Sequence, residues 1–225
     1  MRIQLTNSMA MGRTTAKVVK RYATSTAIAE LDRRVDFCLC LKPQRTAASV
    51  AEALSQVAQS TQHFSVNHTD YTPVAANPIT LNIETKRTGE DWQAALEQIS
   101  TWMTSQWRCL DELGRSTNRN FPHASTSFDT LSQKDKVNLE FLPGIIIQGH
   151  DWIFVAATRG QGGATSEPQL QGERFEVLIW SKIFIGSTDT LQGIYQIVAV
   201  LQRLAAWSLD TYWPWFQQNI LDKGH

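Results

Sequence analysis

The run Ile79-Thr-Leu-Asn-Ile-Glu-Thr-Lys86 most constrains this chain. It is β-branched and largely apolar, starts after Pro78, and closes on two opposite charges. Val, Ile and Thr suit a pleated, half-buried surface, and proline is tolerated at a strand's first residue. The run therefore predicts a strand over 79–86. Residues two apart share one face of a strand, so Glu84 and Lys86 project together while Thr85 points away. A second apolar run, Val35-Asp-Phe-Cys-Leu-Cys-Leu41, predicts a strand over 34–41 that opens on a lone carboxylate, Asp36. Unpaired charge bordering apolar strands is costly, so both carboxylates need partners. Asp36 facing Glu84 and Lys86 on a neighbouring strand makes an oxygen-donor site beside a cation, which suits Mg²⁺ or Mn²⁺. A lysine placed there can orient or help deprotonate an attacking water, or offset charge developing on a phosphate.

Helical signals alternate with these strands. Val50, Ala53, Leu54 and Val57 are spaced as one helix face within 47–60. Thr88-Gly-Glu-Asp91 reads as a helix start with Thr88 as N-cap and acids in the first turn. The helix that follows sets Trp92, Leu96, Ile99, Trp102, Met103 and Leu110 on one broad stripe. Apolar runs on either side of Gln148-Gly-His-Asp151 predict a hairpin. Residues 160–172 read as a loop and Glu176–Ile185 as a strand. Asp189 is expected to cap a final helix carrying Leu191, Ile194, Tyr195, Val198, Leu201 and Leu204 at helical spacing. Residues 15–29 are β-branched and read as a strand, with a short helix as the alternative. Residues 1–14 read as a flexible N-terminus, and 114–138, rich in Ser, Thr, Asn and Lys, as a long polar surface loop. With no internal repeat and no linker, one α/β domain over 15–222 accounts for the chain.

Bulk properties narrow the function classes. A chain of 225 residues with 42% hydrophobic residues and eight tryptophans can bury a sizeable core. Its formal net charge of zero conceals an asymmetry: residues 1–45 hold nine Lys/Arg against three Asp/Glu. A basic portion can meet a phosphate backbone, although a neutral chain is not built for strong sequence-independent binding to nucleic acid. Three cysteines lack metal-ligand spacing, and Cys38 and Cys40 share one strand face, so packing explains them. The absence of a disulfide pattern, of an apolar signal core and of any run near ~20 apolar residues predicts an intracellular protein (cytoplasmic or nuclear) with no membrane partner.

The remaining polar groups each have a functional and a plain reading. Gln98 lies one turn before Trp102 on the same helix face; it can reach a phosphate or a water, or sit exposed beside a core tryptophan. Asp70, in His68-Thr-Asp-Tyr-Thr-Pro73, competes with Asp36 for the role of metal-binding aspartate. His150-Asp151 falls in the expected hairpin turn, where Asp and Gly are good turn residues. Arg159-Gly-Gln-Gly-Gly163 lacks the Gly-Lys-Ser/Thr of a phosphate loop. Ser181-Lys182 places a cation on a strand, where a cross-strand ion pair is the plain use. Tyr212-Trp-Pro-Trp-Phe216 can stack on bases or fill the core.

Taken together, the order of Asp36, Glu84-Thr-Lys86 and a helix carrying Gln98-x-x-x-Trp102 resembles the PD-(D/E)XK nuclease superfamily. More narrowly, Val35-Asp-Phe37, Asn67-His-Thr-Asp-Tyr71, Ile83-Glu-Thr-Lys86, Leu142-Pro-Gly-Ile145, Gln148-Gly-His-Asp-Trp152, Trp180-Ser-Lys182, Ile185-Gly-Ser-Thr188 and Tyr212-Trp-Pro-Trp-Phe216 look like the nuclease-like domain proteins of filamentous fungi. The resemblance implies a single restriction-endonuclease-like α/β domain, a central mixed sheet flanked by helices. It implies Asp36 and Glu84 as ligands for Mg²⁺ or Mn²⁺, Lys86 as catalytic cation and Gln98 as a further site residue. The chain departs from the family in having Val35 rather than proline before Asp36, and a short region ahead of the first strand.

Three functions follow. The first is metal-dependent hydrolysis of phosphodiester bonds in nucleic acid. The second is a nuclease-like fold repurposed as a small-molecule biosynthetic enzyme (a cyclase or accessory protein) in fungal secondary metabolism, with tryptophans lining its pocket. The third is an inactive binding module. Asp36, Glu84, Lys86 and Gln98 together favour the first.

Overall fold

The computed structural model describes residues 8–13, 16–23, 35–42, 48–119, 139–160 and 176–221. Six strands form one sheet in sequence order: β1 (Ser8–Arg13), β2 (Phe37–Lys42), β3 (Ile79–Lys86), β4 (Phe141–Gln148), β5 (Asp151–Arg159) and β6 (Val177–Ser187). Every neighbouring pair is antiparallel except β3–β4. A parallel link needs a long crossover, and the 28-residue helix α2 (Trp92–Arg119) supplies most of it. Helix α1 (Ala48–Ser60) joins β2 to β3, and α3 (Leu191–Trp207) follows β6. The chain then winds through a π-helical turn at Ser208–Tyr212 into the single turn α4 (Trp213–Phe216) and a second π turn, Gln217–Leu221.

Strand alternation decides what each sheet face buries. One face packs on Ile99, Trp102, Met103 and Trp107 of α2, and on Tyr212, Trp213, Trp215 and Phe216 from the C-terminal turns. Here Gly144 of β4 lets the helix close in, since a Cβ would come within 2.9 Å of Ile99 and Met103 atoms. The aromatic cluster near the C-terminus is therefore core. On the other face Leu81, Ile83, Ile145 and Ile185 pack against Ile197 and Leu204 of α3. Cys38 and Cys40 sit in a small separate cluster with Val74 and Ile79.

The strands expected over 34–41, 79–86 and 176–185, the helix expected over 47–60 and the hairpin are present, with shifts of up to three residues at the ends: β2 starts at Phe37, so Asp36 precedes it rather than opening it, and residues 34 and 47 lie outside the described residues. The hairpin turn is Gly149-His150, and Gly149 adopts the positive φ of 63° such a two-residue turn needs. Several readings change. Ser8–Arg13, taken as part of a flexible N-terminus, pairs along β2 from Ser8↔Lys42 to Arg13↔Phe37. Methionines among polar residues hide the strand signal. Residues 16–23 form no strand; the Val19 N–H donates to the His68 carbonyl at 2.9 Å, Arg108 donates to the Ala23 carbonyl at 2.5 Å, and the chain turns once at Lys20–Tyr22, while 24–29 lie outside the described residues. Helix α2 runs on through Arg119, so 114–119 are helix rather than loop; 120–138 and most of the 160–172 loop lie outside the described residues. Asp91 caps α2 by accepting the Gln93 N–H at 2.8 Å, in place of Thr88. Thr190 caps α3 by accepting the Gly193 N–H at 3.0 Å, in place of Asp189.

Candidate active site

At its C-terminal end β3 passes from core to surface. Glu84 is fully buried, while Thr85 and Lys86 are half-buried. The alternation that sends Ile83 into the α3 face turns Glu84 and Lys86 toward α2. Lys86 Nζ stands 2.7 Å from Glu84 Oε1, and the Gln98 amide donates to Glu84 Oε2 at 3.0 Å. The carboxylate side chain is only 1% exposed and its lysine partner 20%. A buried carboxylate keeps its charge only where cations and donors replace water, and here both oxygens are met.

Asp36 stands just ahead of β2, whose register puts Phe37 opposite Ile83. Its carboxylate binds Thr85. Oδ2 accepts the Thr85 backbone N–H at 2.8 Å and the Thr85 hydroxyl at 2.6 Å. Asp36 is thus anchored to the residue between Glu84 and Lys86. The structure brings Glu84, Lys86 and Gln98 into contact, and fastens Asp36 beside them. Thr85 was missed as a partner because alternation directs its side chain away from Glu84; its backbone N–H, which alternation does not describe, completes the link.

A row of buried polar side chains continues inward from this cluster. Asn82, two residues before Glu84, accepts the Trp102 indole N–H at 2.8 Å and donates to Gln106 Oε1 at 2.7 Å; Gln106 in turn donates to the Ile79 carbonyl at 2.8 Å. Gln98, Trp102 and Gln106 lie four residues apart on α2, and Asn82 and Glu84 two apart on β3, so each rung follows from the two periodicities. These rungs fix the register of α2 on β3. The spacing was available in the sequence, yet a buried asparagine and glutamine cannot be told from exposed ones by spacing alone.

The other polar candidates lie apart. Asp70 is exposed. Asn67 organises its loop instead, donating to the Val74 carbonyl at 2.6 Å and accepting from the Ile79 N–H at 3.0 Å. His68 is buried edge-on against Trp102, ring centroids 4.5 Å apart, and neither ring nitrogen has a hydrogen-bond partner among the described residues. Burial, with His63 adding to it, lowers its pKa from 6.5 to about 3. It is a neutral core ring. His150 Nδ1 meets Thr188 Oγ1 at 2.8 Å and Asp189 Oδ1 at 3.3 Å on the exposed rim, while Asp151 pairs opposite Gln148 at the hairpin's start.

Does this site fit a divalent cation? Among the described residues no three His, Cys, Asp or Glu side chains cluster. That does not decide against Mg²⁺, which keeps several waters and is commonly held by one or two carboxylates with substrate phosphate. Two hard oxygen donors, one on β3 and one just ahead of its partner β2, both anchored by hydrogen bonds, fit that pattern.

The sequence matches the family model of the PD-(D/E)XK nuclease superfamily over residues 2–213. The chain belongs to that superfamily, and its mixed sheet flanked by helices is a restriction-endonuclease-like α/β fold. No curated protein and no solved structure matches it.

Proposed function

We propose that this member of the PD-(D/E)XK nuclease superfamily hydrolyses phosphodiester bonds in nucleic acid, using Asp36, Glu84, Lys86 and Gln98. The observation that carries the reading is Glu84: a buried carboxylate held between Lys86 at 2.7 Å and Gln98 at 3.0 Å, on a strand end that opens to solvent. Asp36 and Glu84 would hold Mg²⁺ or Mn²⁺. When bound, that ion supplies a Lewis acid for the phosphoryl oxygens and lowers the pKa of the attacking water. Lys86, one-fifth exposed, would meet the attacking oxygen and offset charge developing on the phosphoryl group. Gln98 fixes the Glu84 rotamer from the helix side, and the two Thr85 bonds fix Asp36. Such pre-set geometry costs nothing at the moment of reaction. The narrower likeness to fungal members, and an intracellular setting among nucleic acids, belong to the same proposal.

The test is cleavage of single- and double-stranded DNA and RNA by the purified chain with Mg²⁺ or Mn²⁺, and with chelator. Activity should require the metal and fall by about 10²–10³-fold in Lys86→Ala while the fold is retained. A folded, metal-supplied protein that cuts none of the four substrates would falsify this reading. It would turn attention to the repurposed small-molecule enzyme or the binding module, for which the Lys86–Glu84 pair is a self-sufficient buried ion pair.

A further inference from the structure

Helix α3 is apolar on two sides, and the described residues cover only one. Gly193, Ile197 and Leu204 are buried against the sheet, whereas Leu191, Ile194, Tyr195 and Val198 form a second row at i, i+3, i+4 and i+7 that faces water. A helix apolar on more than one side is ordinarily covered on more than one side. The neighbouring edge strand repeats the anomaly: Leu178, Trp180 and Ile183 of β6 are exposed as well, and α3 packs chiefly on this strand. Over Val177–Ser187 and Leu191–Trp207 the only charges are Lys182 and Arg203.

We infer that this face is the contact between two copies of the chain, α3 against α3 about a twofold axis with β6 side chains flanking it. Area supports a stable pair. The seven side chains are exposed by 41% to 69%; at on the order of 100 Å² each, judged from 150–250 Å² for a whole aromatic side chain, they reach about 700 Å², within the range per partner of a standard interface. Composition supports a protein partner: aromatics are enriched and charge depleted, as at interface centres. Nucleic acid would need a row of cations, and a membrane surface a basic polar face; this face has neither. A second copy brings complements to both uncovered features at once, because a twofold axis sets each α3 row against its own image and each β6 beside its own. Backbone pairing between the two β6 edges is not what joins them. Lys182, at φ 70°, and the register shifts along β5–β6 break that edge, as protected edges are broken elsewhere.

The test is sedimentation equilibrium of the full chain over about 1–100 µM, a range in which an interface of this size is populated. The expected mass is twice 25.3 kDa. Ile194→Glu with Val198→Glu should raise the dissociation constant at least about 100-fold, and Gln192→Glu on the same helix should leave it unchanged. If the double variant loses its circular-dichroism spectrum, Tyr195→Lys serves instead. A monomer throughout the range overturns the inference, whether a different protein or another part of the chain covers the face. A dimer indifferent to the α3 variants, or one equally lost in Gln192→Glu, overturns it too.

Discussion

The two faces of the sheet are insulated differently, and β3 shows it within eight residues. Its odd positions, Leu81 and Ile83, meet α3 through carbon alone. Its even positions, Asn82 and Glu84, meet α2 through a chain of polar rungs ending at Lys86. An apolar contact tolerates sliding, because dispersion and burial have little direction. A hydrogen-bonded rung does not, because a displaced buried donor loses its partner at a cost of about 1–3 kcal/mol. The α2 face is thus the one that can hold a side chain to fractions of an ångström, and it is the face carrying the candidate site.

The sharpest way to break that comparison is at its outer end. Lys86→Ala should lower cleavage by about 10²–10³-fold, the range for removing one charge-stabilising donor. Glu84→Gln should lower it at least as far and abolish Mg²⁺ heats in calorimetry. Equal activity in Lys86→Ala and wild type would leave the α2 face with no catalytic use for its precision.

One step inward, Asn82→Leu strands the Trp102 indole and the Gln106 amide in the core. The expected loss is about 3–5 kcal/mol in urea unfolding, as for a broken buried network. Leu81→Ala, on the other face of the same strand, should cost about 2–5 kcal/mol through its cavity. The two separate in function rather than stability. Under conditions where both are folded, Asn82→Leu should lower cleavage because α2 loses its register on β3, and Leu81→Ala should leave the rate near wild type. If both variants lose activity alike, the rungs are ordinary core.

His68 offers a smaller effect through pH. Its folded pKa, about 3, lies below the 6.5 of the exposed ring because burial disfavours the charged form. Between those values the unfolded chain binds the extra proton, so stability rises with pH across the window. His68 costs nothing above pH 6.5 and progressively destabilises the fold as pH falls toward 3, by on the order of 1.4 kcal/mol per pH unit. His68→Phe should flatten that slope. A variant whose unfolding free energy falls as steeply as wild type between pH 6 and 4 would show that the ring is not sealed.

How much of this was legible in the sequence varied with the range of the interactions. Glu84, Lys86 and Gln98 could be found because strand and helix periodicity fix which side chains share a face. The burial of Glu84 and the run of polar rungs behind it could not, since Asn82 and Gln106 look like any polar residues until the opposing helix is in place. Ser8–Arg13 was missed for a related reason: its edge pairing with β2 is tertiary, and its composition carries no strand signal. The caps show the finest limit. Thr88 and Asp91 are both good N-caps, and only the observed Gln93 bond chooses between them.

The last test separates two aspartates that the sequence left in competition. Asp36 is held by both Thr85 bonds, whereas Asp70 is exposed. Asp36→Asn retains a side-chain oxygen that can accept the Thr85 N–H and hydroxyl, so folding should weaken by only about 1 kcal/mol. The substitution nevertheless removes one of two anionic donors, and a hard cation held by two carboxylates should lose its measurable heat of binding. Asp70→Asn changes an exposed residue and should alter stability by less than about 0.5 kcal/mol, with metal binding intact. Titrating Mg²⁺ into both variants decides between them. Retention by Asp36→Asn with loss in Asp70→Asn would mean that the metal is held away from β3, and that the ordered α2 face serves something other than the chemistry.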